Sequence, residues 1–362
     1  MEKAKVITDR QFNEISRKFN GRLRRLYALR RIVRTLTIVV YSGVLLWLGY
    51  CLYVPLSGIA GKNSYDGVFG ISTGGFDFAT WLIICVAVFW MLQYVMIKGL
   101  LAINGSEQKI ISDFISTMFP DAVFSPTKSF NSSLVADSRL FDASGINDAP
   151  SGYTSYGRLD FYHGDITASV ADIGVTSDRA YACMYKIPVV NYFTMIFRMV
   201  VKPIFGTRID SSMHSFRGLF GYLNTAYDIN GAVILLPDHL EEKIGYMAQE
   251  IQAMRHKHEA HLVRLEDAEF EKLFAVYADD EIEARKVLTP AMMRRITAWR
   301  KDFGRDIMMS FTKDRFYYAA VTPNGFLRPE RNSASNAGAL RRMYDEIRFC
   351  RDIHYGFKTW RT

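Results

Sequence analysis

Two long apolar stretches near the N-terminus constrain the fold of this 362-residue chain more than any other feature. Residues 36–56 and 78–97 carry no charged side chain over 21 and 20 positions, respectively. As helices rising about 1.5 Å per residue, each is long enough to cross a hydrocarbon layer of roughly 30 Å. The sequence therefore predicts a transmembrane helical hairpin. Because the first stretch starts late and a second follows it, a cleaved signal peptide is disfavoured.

Basic side chains are concentrated in front of the first stretch. Residues 1–35 contain eleven Lys and Arg and three acidic residues, which accounts for the whole formal net charge of +8. Lys98 directly follows the second stretch, whereas the connector, residues 57–77, contains one Lys. The positive-inside rule then predicts that both termini are cytoplasmic and the connector extracytoplasmic. Since the rest of the chain is formally neutral, no nucleic-acid partner is expected.

The basic arm, residues 1–35, is predicted to be an amphipathic helix that runs into the first span. Its apolar residues recur every three or four positions, which is typical of a helix with one buried face. They are Phe12, Ile15, Phe19, Leu23, Leu26, Leu29 and Val33. We expect the arm to set the topology and to contact anionic lipid, in preference to binding a protein. The lipid bilayer is therefore the first expected partner.

The rest of the chain predicts an α+β protein: a helix and polar linker over 98–158, then a cytosolic mixed α+β domain over 159–362. Strands and helices do not alternate strictly, which disfavours a doubly wound parallel sheet. A turn is expected at Asp228–Gly231 and a hairpin near Lys313. Strands are predicted at 165–177, 215–224, 231–238, 260–267 and 306–321, and helices at 106–119, 240–254, 289–304 and 336–353.

Residues 186–208 do not fit a soluble domain easily, because they are strongly apolar. Pro188 and Pro203 interrupt them, and the longest uninterrupted part is too short to span a membrane. A buried helix, a helix lying on the cytoplasmic leaflet and a subunit interface are all compatible with this composition. The side chains that would form a membrane-surface or interface contact are Phe193, Ile196, Phe197, Arg198 and Lys202.

An acidic cluster is the most conspicuous candidate for chemistry. Asp279, Asp280, Glu281 and Glu283 stand within five positions, beside Arg285. Adjacent side chains point in different directions, so the four carboxylates cannot converge on one ion. Asp280 followed three residues later by Glu283 matches a helix cap instead. We favour the cap; Asp280, Glu283 and Arg285 remain the polar candidates for a site, with magnesium as the residual possibility.

Other chemical motifs are weaker. His256, His258 and His261 lie close together but lack the spacing of a zinc site on one helix. Asp165, Asp172 and Asp178 are expected at strand edges or turns. The four cysteines have no paired spacing, and no phosphate loop or framed nucleophile is present. The sequence therefore predicts no metal or cofactor and identifies no catalytic residue. The alternative to a non-catalytic module is a membrane-bound enzyme with an acidic and His-lined pocket.

Residues 265–296 resemble the signature region of a bacterial family, Domain of Unknown Function 3137. The shared pattern consists of Phe274, Val276, Tyr277, Asp280, Glu283, Ala284, Arg285, Leu288, Thr289 and Pro290. Strands similar to 168–178 and 215–224, after two N-terminal transmembrane helices, extend the resemblance over most of residues 100–325. It implies a multi-pass bacterial inner-membrane protein of unassigned activity. We therefore expect an anchored module that binds the membrane surface, a membrane-protein partner or a second copy of itself.

Overall fold

The computed structural model describes residues 9–60, 78–141, 153–163, 166–175, 187–189, 216–237, 261–322, 325–327 and 337–361. The chain divides into two compact units. The larger unit comprises Met1–Gly21, Ile110–Ile196 and Thr207–Thr362, and the smaller one comprises Arg22–Lys109 and Phe197–Gly206. The predicted helix 240–254, the segment 190–208 and most of the connector lie outside the described residues.

The described helices and strands confirm a mixed α+β fold with an antiparallel sheet. The helices are α1 (Asp9–Ala60), α2 (Phe78–Met118), α3 (Ser132–Asp137), α4 (Ala268–Glu271), α5 (Glu281–Val287), α6 (Pro290–Phe303) and α7 (Ala337–Arg361). The strands are β1 (Ala122–Ser125), β2 (Tyr153–His163), β3 (Ile166–Val175), β4 (Phe216–Pro237), β5 (His261–Val263), β6 (Phe274–Ala278) and β7 (Ile307–Val321). The region predicted as a polar linker thus contributes β1, α3 and the start of β2.

Strand β4 organises the sheet, in which the strand order is β1-β2-β3-β4-β6-β5 and β7 also pairs with β4. Residues 216–223 of β4 pair with β3, and residues 233–237 pair with β6. Strand β7 accompanies β4 along nearly its whole length. All of these pairings are antiparallel. A long central strand of this kind joins both halves of the sheet into one hydrogen-bonded layer.

Two predicted turns are wrong, because the chain bends at these positions without reversing. The polar stretch before Gly231 lies inside β4, where the register with β7 shifts between Asn224 and Ala232. Lys313, at the predicted hairpin, lies inside β7 with a φ of 55°. Gly231 adopts a φ of 90°, which suits glycine. The two irregularities lie opposite each other in the register, so both strands bend together, as at a β-bulge.

The sheet buries apolar side chains on both faces. One face packs Phe216, Phe220 and Tyr317 against Phe130 and Phe141, which flank α3. The alternate residues of β7 face the other way, where the ring of Phe316 lies 4.4 Å from that of Phe357 on α7. Helix α6 lies on α7 through stacked Trp299 and Phe357 rings, 5.7 Å apart. Because both faces of the sheet are covered in this way, its strands can carry apolar side chains on either face.

Helix α6 begins and ends as its sequence predicts. The Thr289 hydroxyl accepts a hydrogen bond from the Met292 amide at 3.3 Å, and Pro290 occupies the first turn. Gly304 ends the helix in the left-handed conformation with a φ of 68°. These are the standard devices for starting and stopping a helix. Helix α7, predicted over 336–353, buries one apolar face, formed by Leu340, Met343, Ile347 and Cys350.

The predicted helix at 106–119 is not a separate element. Ser106 donates a hydrogen bond to the Ala102 carbonyl inside α2, so it does not cap a new helix. Helix α2 instead runs from the second apolar stretch to Met118 without a break. A Ser side chain can cap a new helix or donate to the carbonyl four residues earlier within a continuing one, so Ser106 alone does not mark a helix start.

Aromatic residues connect three helices of the larger unit. The ring of Tyr344 on α7 lies 5.0 Å from Phe12 of α1 and 5.2 Å from Phe119, just after α2. Phe19 and Phe114 meet edge to face at 5.5 Å. The predicted amphipathic helix of the arm is therefore confirmed from Asp9 onward, and Phe12 and Phe19 pack on protein. Aromatic pairs at these distances are favourable beyond their burial.

Candidate functional site

Asp279 and Asp280, the first two carboxylates of the acidic cluster, have structural partners. Asp279 Oδ2 accepts hydrogen bonds from the Arg139 guanidinium at 2.6 Å and from the Ala232 amide at 2.9 Å. It thereby ties the end of β6 to the bend of β4. Asp280 caps α5, accepting from the Ile282 amide at 2.8 Å, as predicted. Each carboxylate therefore accepts a hydrogen bond from a backbone amide, and Asp279 also neutralises the charge of Arg139.

The remaining charged residues of the cluster form surface pairs along α5. Arg285 donates to Glu281 at 2.7 Å, and Lys286 donates to Glu283 at 2.5 Å. These hydrogen bonds raise the pKa of Arg285 and of Lys286. Pairs three or four residues apart are ordinary on exposed helices. The structure therefore places Asp280, Glu283 and Arg285 on one short helix, with Asp280 and Arg285 exposed and Glu283 half-buried.

The other predicted candidates are mostly outside the described residues. This holds for the interface side chains Phe193, Ile196, Phe197, Arg198 and Lys202, and for His256, His258, Asp165 and Asp178. His261 is exposed at the start of β5. Within the described part of the chain, no group of three or more His, Cys, Asp or Glu side chains could hold a metal ion.

The expectation that Asp172 lies at a strand edge is wrong. Asp172 is in the interior of β3 with an exposed fraction of 0%, and its Oδ2 accepts from Arg217 of β4 at 2.7 Å. Arg217 is 6% exposed, and its guanidinium carbon lies 4.0 Å from the centre of the Tyr156 ring. Stacking on an aromatic face leaves the guanidinium edge free for the carboxylate. This is a buried ion pair that spans two neighbouring strands.

Further polar groups on α7 were also missed by sequence reasoning. Glu346 is buried and accepts from Arg305 at 2.7 Å, while burial raises the pKa of its carboxyl. Arg351 lies 3.0 Å from Asp121, and the Tyr355 hydroxyl donates to the same carboxylate at 3.3 Å. Burial raises the pKa of the Cys350 thiol above its ordinary range. The partners in each pair are far apart in the chain, so no local spacing could have indicated them.

Helices α1 and α2 contact each other in the smaller unit. Arg30 Nη1 lies 3.1 Å from Glu107 Oε2, and the Tyr27 hydroxyl donates to the same carboxylate. Farther along, the rings of Tyr41 and Phe89 lie 5.8 Å apart. Residue numbers rise on α1 as they fall on α2, so the two helices run antiparallel over this stretch.

The exposed apolar side chains are concentrated on this helix pair. Fourteen of the twenty large apolar side chains that are exposed in the described residues fall between positions 29 and 101. They are Leu29, Ile32, Leu36, Ile38, Val39, Leu46, Ile83, Val88, Trp90, Met91, Leu92, Tyr94, Val95 and Leu101. An exposed apolar surface of this extent indicates contact with a membrane or another protein. It is the candidate functional surface of the smaller unit.

Among the described residues, one stretch of α2, Ala87–Met118, is long and apolar enough to cross a membrane. It overlaps the second predicted apolar stretch, 78–97. The structure thus provides one candidate span in α2.

Comparison with known proteins confirms the family resemblance. Residues 214–358 match the family described as "Protein of unknown function (DUF3137)". No curated protein matches the chain. Among solved structures, the mycobacterial trehalose monomycolate transport factor A, TtfA, aligns with 67% of this chain and 92% of its own. Its sequence identity is 10% and its TM-score is 0.34, so the alignment supports no conclusion about this chain.

Proposed function

We propose that this chain, whose residues 214–358 match a family without an assigned activity, is a module anchored in the bacterial cytoplasmic membrane by α1 and α2. The observation that carries the proposal is the apolar surface at positions 29–101. A helix in water covers its apolar face, whereas a helix in lipid exposes it. Leu46, in the middle of the first apolar stretch, is 76% exposed. Moving a continuous surface of such side chains from water into an apolar surrounding is strongly favourable.

The pairing of the two helices supports a hairpin. The Arg30–Glu107 contact lies outside both uncharged stretches, and the Tyr41–Phe89 contact lies inside both. Antiparallel helices with this register place residues 36–56 beside residues 78–97. Both stretches are then available to cross the same hydrocarbon layer. The excess of Lys and Arg before Leu36 and at Lys98 orients both termini toward the cytoplasm.

The domain after α2 is proposed to bind and not to catalyse. Several of its described carboxylates serve as caps or ion-pair partners, as at Asp280 and Asp172. A catalytic acid or base needs a free proton-transfer position within reach of a substrate. The proposed partners are the membrane surface, another membrane protein or a second copy of the chain. A membrane-bound enzyme using Asp280, Glu283 and Arg285 stays the alternative hypothesis.

Extraction and crosslinking test the two parts of this proposal. After alkaline carbonate treatment of membranes, the full-length chain is expected in the pellet, and a peripheral protein would be released. After crosslinking in cells and solubilisation in detergent, we expect a homo-oligomer or a defined complex with a membrane protein. Release by carbonate would overturn the anchoring, and recovery of the monomer alone would overturn the protein-binding role. Stoichiometric metal in the purified chain, lost in Asp280→Asn, would favour the enzyme.

A further inference from the structure

Two exposed apolar side chains of α1 lie outside the first uncharged stretch. Leu29 is 51% exposed and Ile32 is 57% exposed, although both precede Leu36, at which the stretch begins. With a rise of about 1.5 Å per residue, they lie roughly 6–10 Å before it along the helix. A bilayer of roughly 40–45 Å holds a hydrocarbon core of roughly 30 Å, so under the proposed anchoring both side chains lie at the level of the headgroups. Acyl chains do not cover them at that level.

Leu29, Ile32 and Leu36 form one face of α1, which we call the α1 face. Steps of three and four residues place these side chains on the same side of a helix. Another side of α1 faces α2, since Arg30 pairs with Glu107 there. In the described part of the smaller unit, Leu101 alone among the other large apolar side chains is exposed outside the two uncharged stretches. The α1 face is therefore the one group of such side chains that requires a cover other than lipid tails.

The chain between β3 and β4 supplies an apolar segment to the smaller unit. Val175, the last residue of β3, pairs with Phe216, the first residue of β4. Residues 176–215 therefore leave the sheet and return to it at one point. Within this insertion, Phe197–Gly206 belongs to the same compact unit as Arg22–Lys109. The smaller unit thus consists of the helix pair together with a segment that is inserted between two strands.

The sequence of this segment is suited to the level of the headgroups. Phe197, Val200 and Val201 recur at steps of three and four residues, which is the spacing of an apolar helix face. Arg198 and Lys202, four residues apart, fall on another side of the same helical pattern. Amphipathic segments of this kind bury their apolar face by about 5–10 Å at the boundary between headgroups and acyl chains. Their long basic side chains reach the phosphates from there.

We infer that Phe197–Gly206 docks on the α1 face and covers Leu29 and Ile32 in the headgroup layer of the cytoplasmic leaflet. The inference rests on the proposed anchoring by α1 and α2, and it names the occupant of one part of their exposed surface. Contact with the segment removes from water an apolar surface that acyl chains do not reach. Arg198 and Lys202 add positive charge near the basic residues of α1, which is favourable where anionic phosphates lie between the cations.

Photocrosslinking of the full-length chain in membranes tests the docking. The photoreactive residue benzoylphenylalanine replaces Ile32 in one variant. In the control variant it replaces Leu46, which is 76% exposed in the middle of the first apolar stretch. After irradiation and digestion, mass spectrometry identifies the peptide that is joined to each position. We expect the product at position 32 to contain residues 197–206 of the same chain and the product at position 46 to lack them.

Two substitutions within the segment provide a matched pair. Val200→Asn should reduce the yield of the product at position 32 to that of the control, because a polar side chain weakens the apolar contact. Lys202→Asn, on the other side of the pattern, should leave the yield unchanged. Equal yields from these two variants would overturn the inference, as would a product at position 32 that contains lipid, another segment or a second chain. Carbonate extraction separates the two proposals: a chain that stays in the pellet without the expected product refutes the docking alone, whereas release refutes the anchoring and the docking with it.

Discussion

The helix pair of the smaller unit exposes many large apolar side chains, whereas the sheet domain of the larger unit buries most of its own. On α1 and α2, Leu46 and Trp90 are exposed while Glu107 is buried with Arg30. In the sheet domain, Phe216 and Phe316 are buried, and only six large apolar side chains are exposed among the described residues of the larger unit. A water-soluble fold requires the second arrangement, and a membrane-embedded one permits the first. The proposed membrane anchoring of the smaller unit would account for this difference.

The largest expected effect concerns the buried ion pair of the sheet domain. In Arg217→Met, Asp172 would remain buried without its partner, so the free energy of unfolding should fall by about 3–5 kcal/mol. Asp172→Leu combined with Arg217→Met should recover most of the loss. Denaturant unfolding of the full-length chain in detergent, followed by the fluorescence of buried Trp299, measures both variants. A single variant as stable as the wild type would contradict a desolvated pair.

Replacing an exposed apolar residue by Arg in each region tests whether the two surfaces lie in the same environment. Leu46→Arg places a charge in the middle of the first apolar stretch, where insertion becomes less favourable by about 3 kcal/mol. Ile282 of α5 is also exposed, at 65%, yet Ile282→Arg should be neutral because water already surrounds it. The fraction of each variant in the carbonate-resistant membrane pellet gives the comparison. Equal behaviour of the two variants would show that both surfaces meet the same solvent.

Glycine replacements provide a second matched pair. A Cβ on Gly218 would lie 2.0 Å from the Ala320 carbonyl oxygen, so Gly218→Ala forces β4 away from β7 and should cost about 1–3 kcal/mol. A Cβ on Gly105 of α2 would meet nothing within 4 Å. Gly105→Ala should therefore stabilise the chain by up to about 1 kcal/mol, since alanine favours a helix. Thermal unfolding of both variants in detergent tests the opposite signs.

The smallest expected effect lies in the acidic cluster. Asp280→Ala removes the cap of α5 and should lower the free energy of unfolding by about 1 kcal/mol. Glu281→Ala removes only an exposed pair with Arg285, and we expect no measurable loss. Denaturant unfolding measures both. A stability gain in Asp280→Ala would contradict the cap and would be typical of a carboxylate kept for catalysis, since functional sites are often strained.

Local signals predicted the features that depend on neighbouring residues. Thr289, Pro290 and Gly304 set the ends of α6 through contacts within a few positions, and Asp280 caps α5 in the same way. The bend of β4 was mistaken for a turn because Gly231 and its polar neighbours serve equally well in a turn or a bulge. Only the long-range pairing with β7 distinguishes the two outcomes.

The buried ion pairs could not be predicted for a related reason. Asp172 and Arg217 are 45 residues apart, and neither has a spacing that reveals its partner. Because charged residues are rarely buried, an Asp with no nearby partner in the sequence is expected at the edge of a strand. The apolar stretches at 36–56 and 78–97, in contrast, predict helices from their own composition, and the structure has helices α1 and α2 there. The helices of the smaller unit were therefore more predictable from sequence than the polar interior of the sheet.

The topology of the connector tests the central claim most directly. Ser64→Cys in the connector and Ser133→Cys in α3 are introduced separately and treated in intact cells with a maleimide that cannot cross the cytoplasmic membrane. We predict labelling of the cysteine at 64 before permeabilisation and of the cysteine at 133 only after it. Cys350 should stay unlabelled in the folded chain, because burial raises the pKa of its thiol. Labelling at 133 in intact cells, or protection at 64, would contradict a hairpin with both ends in the cytoplasm.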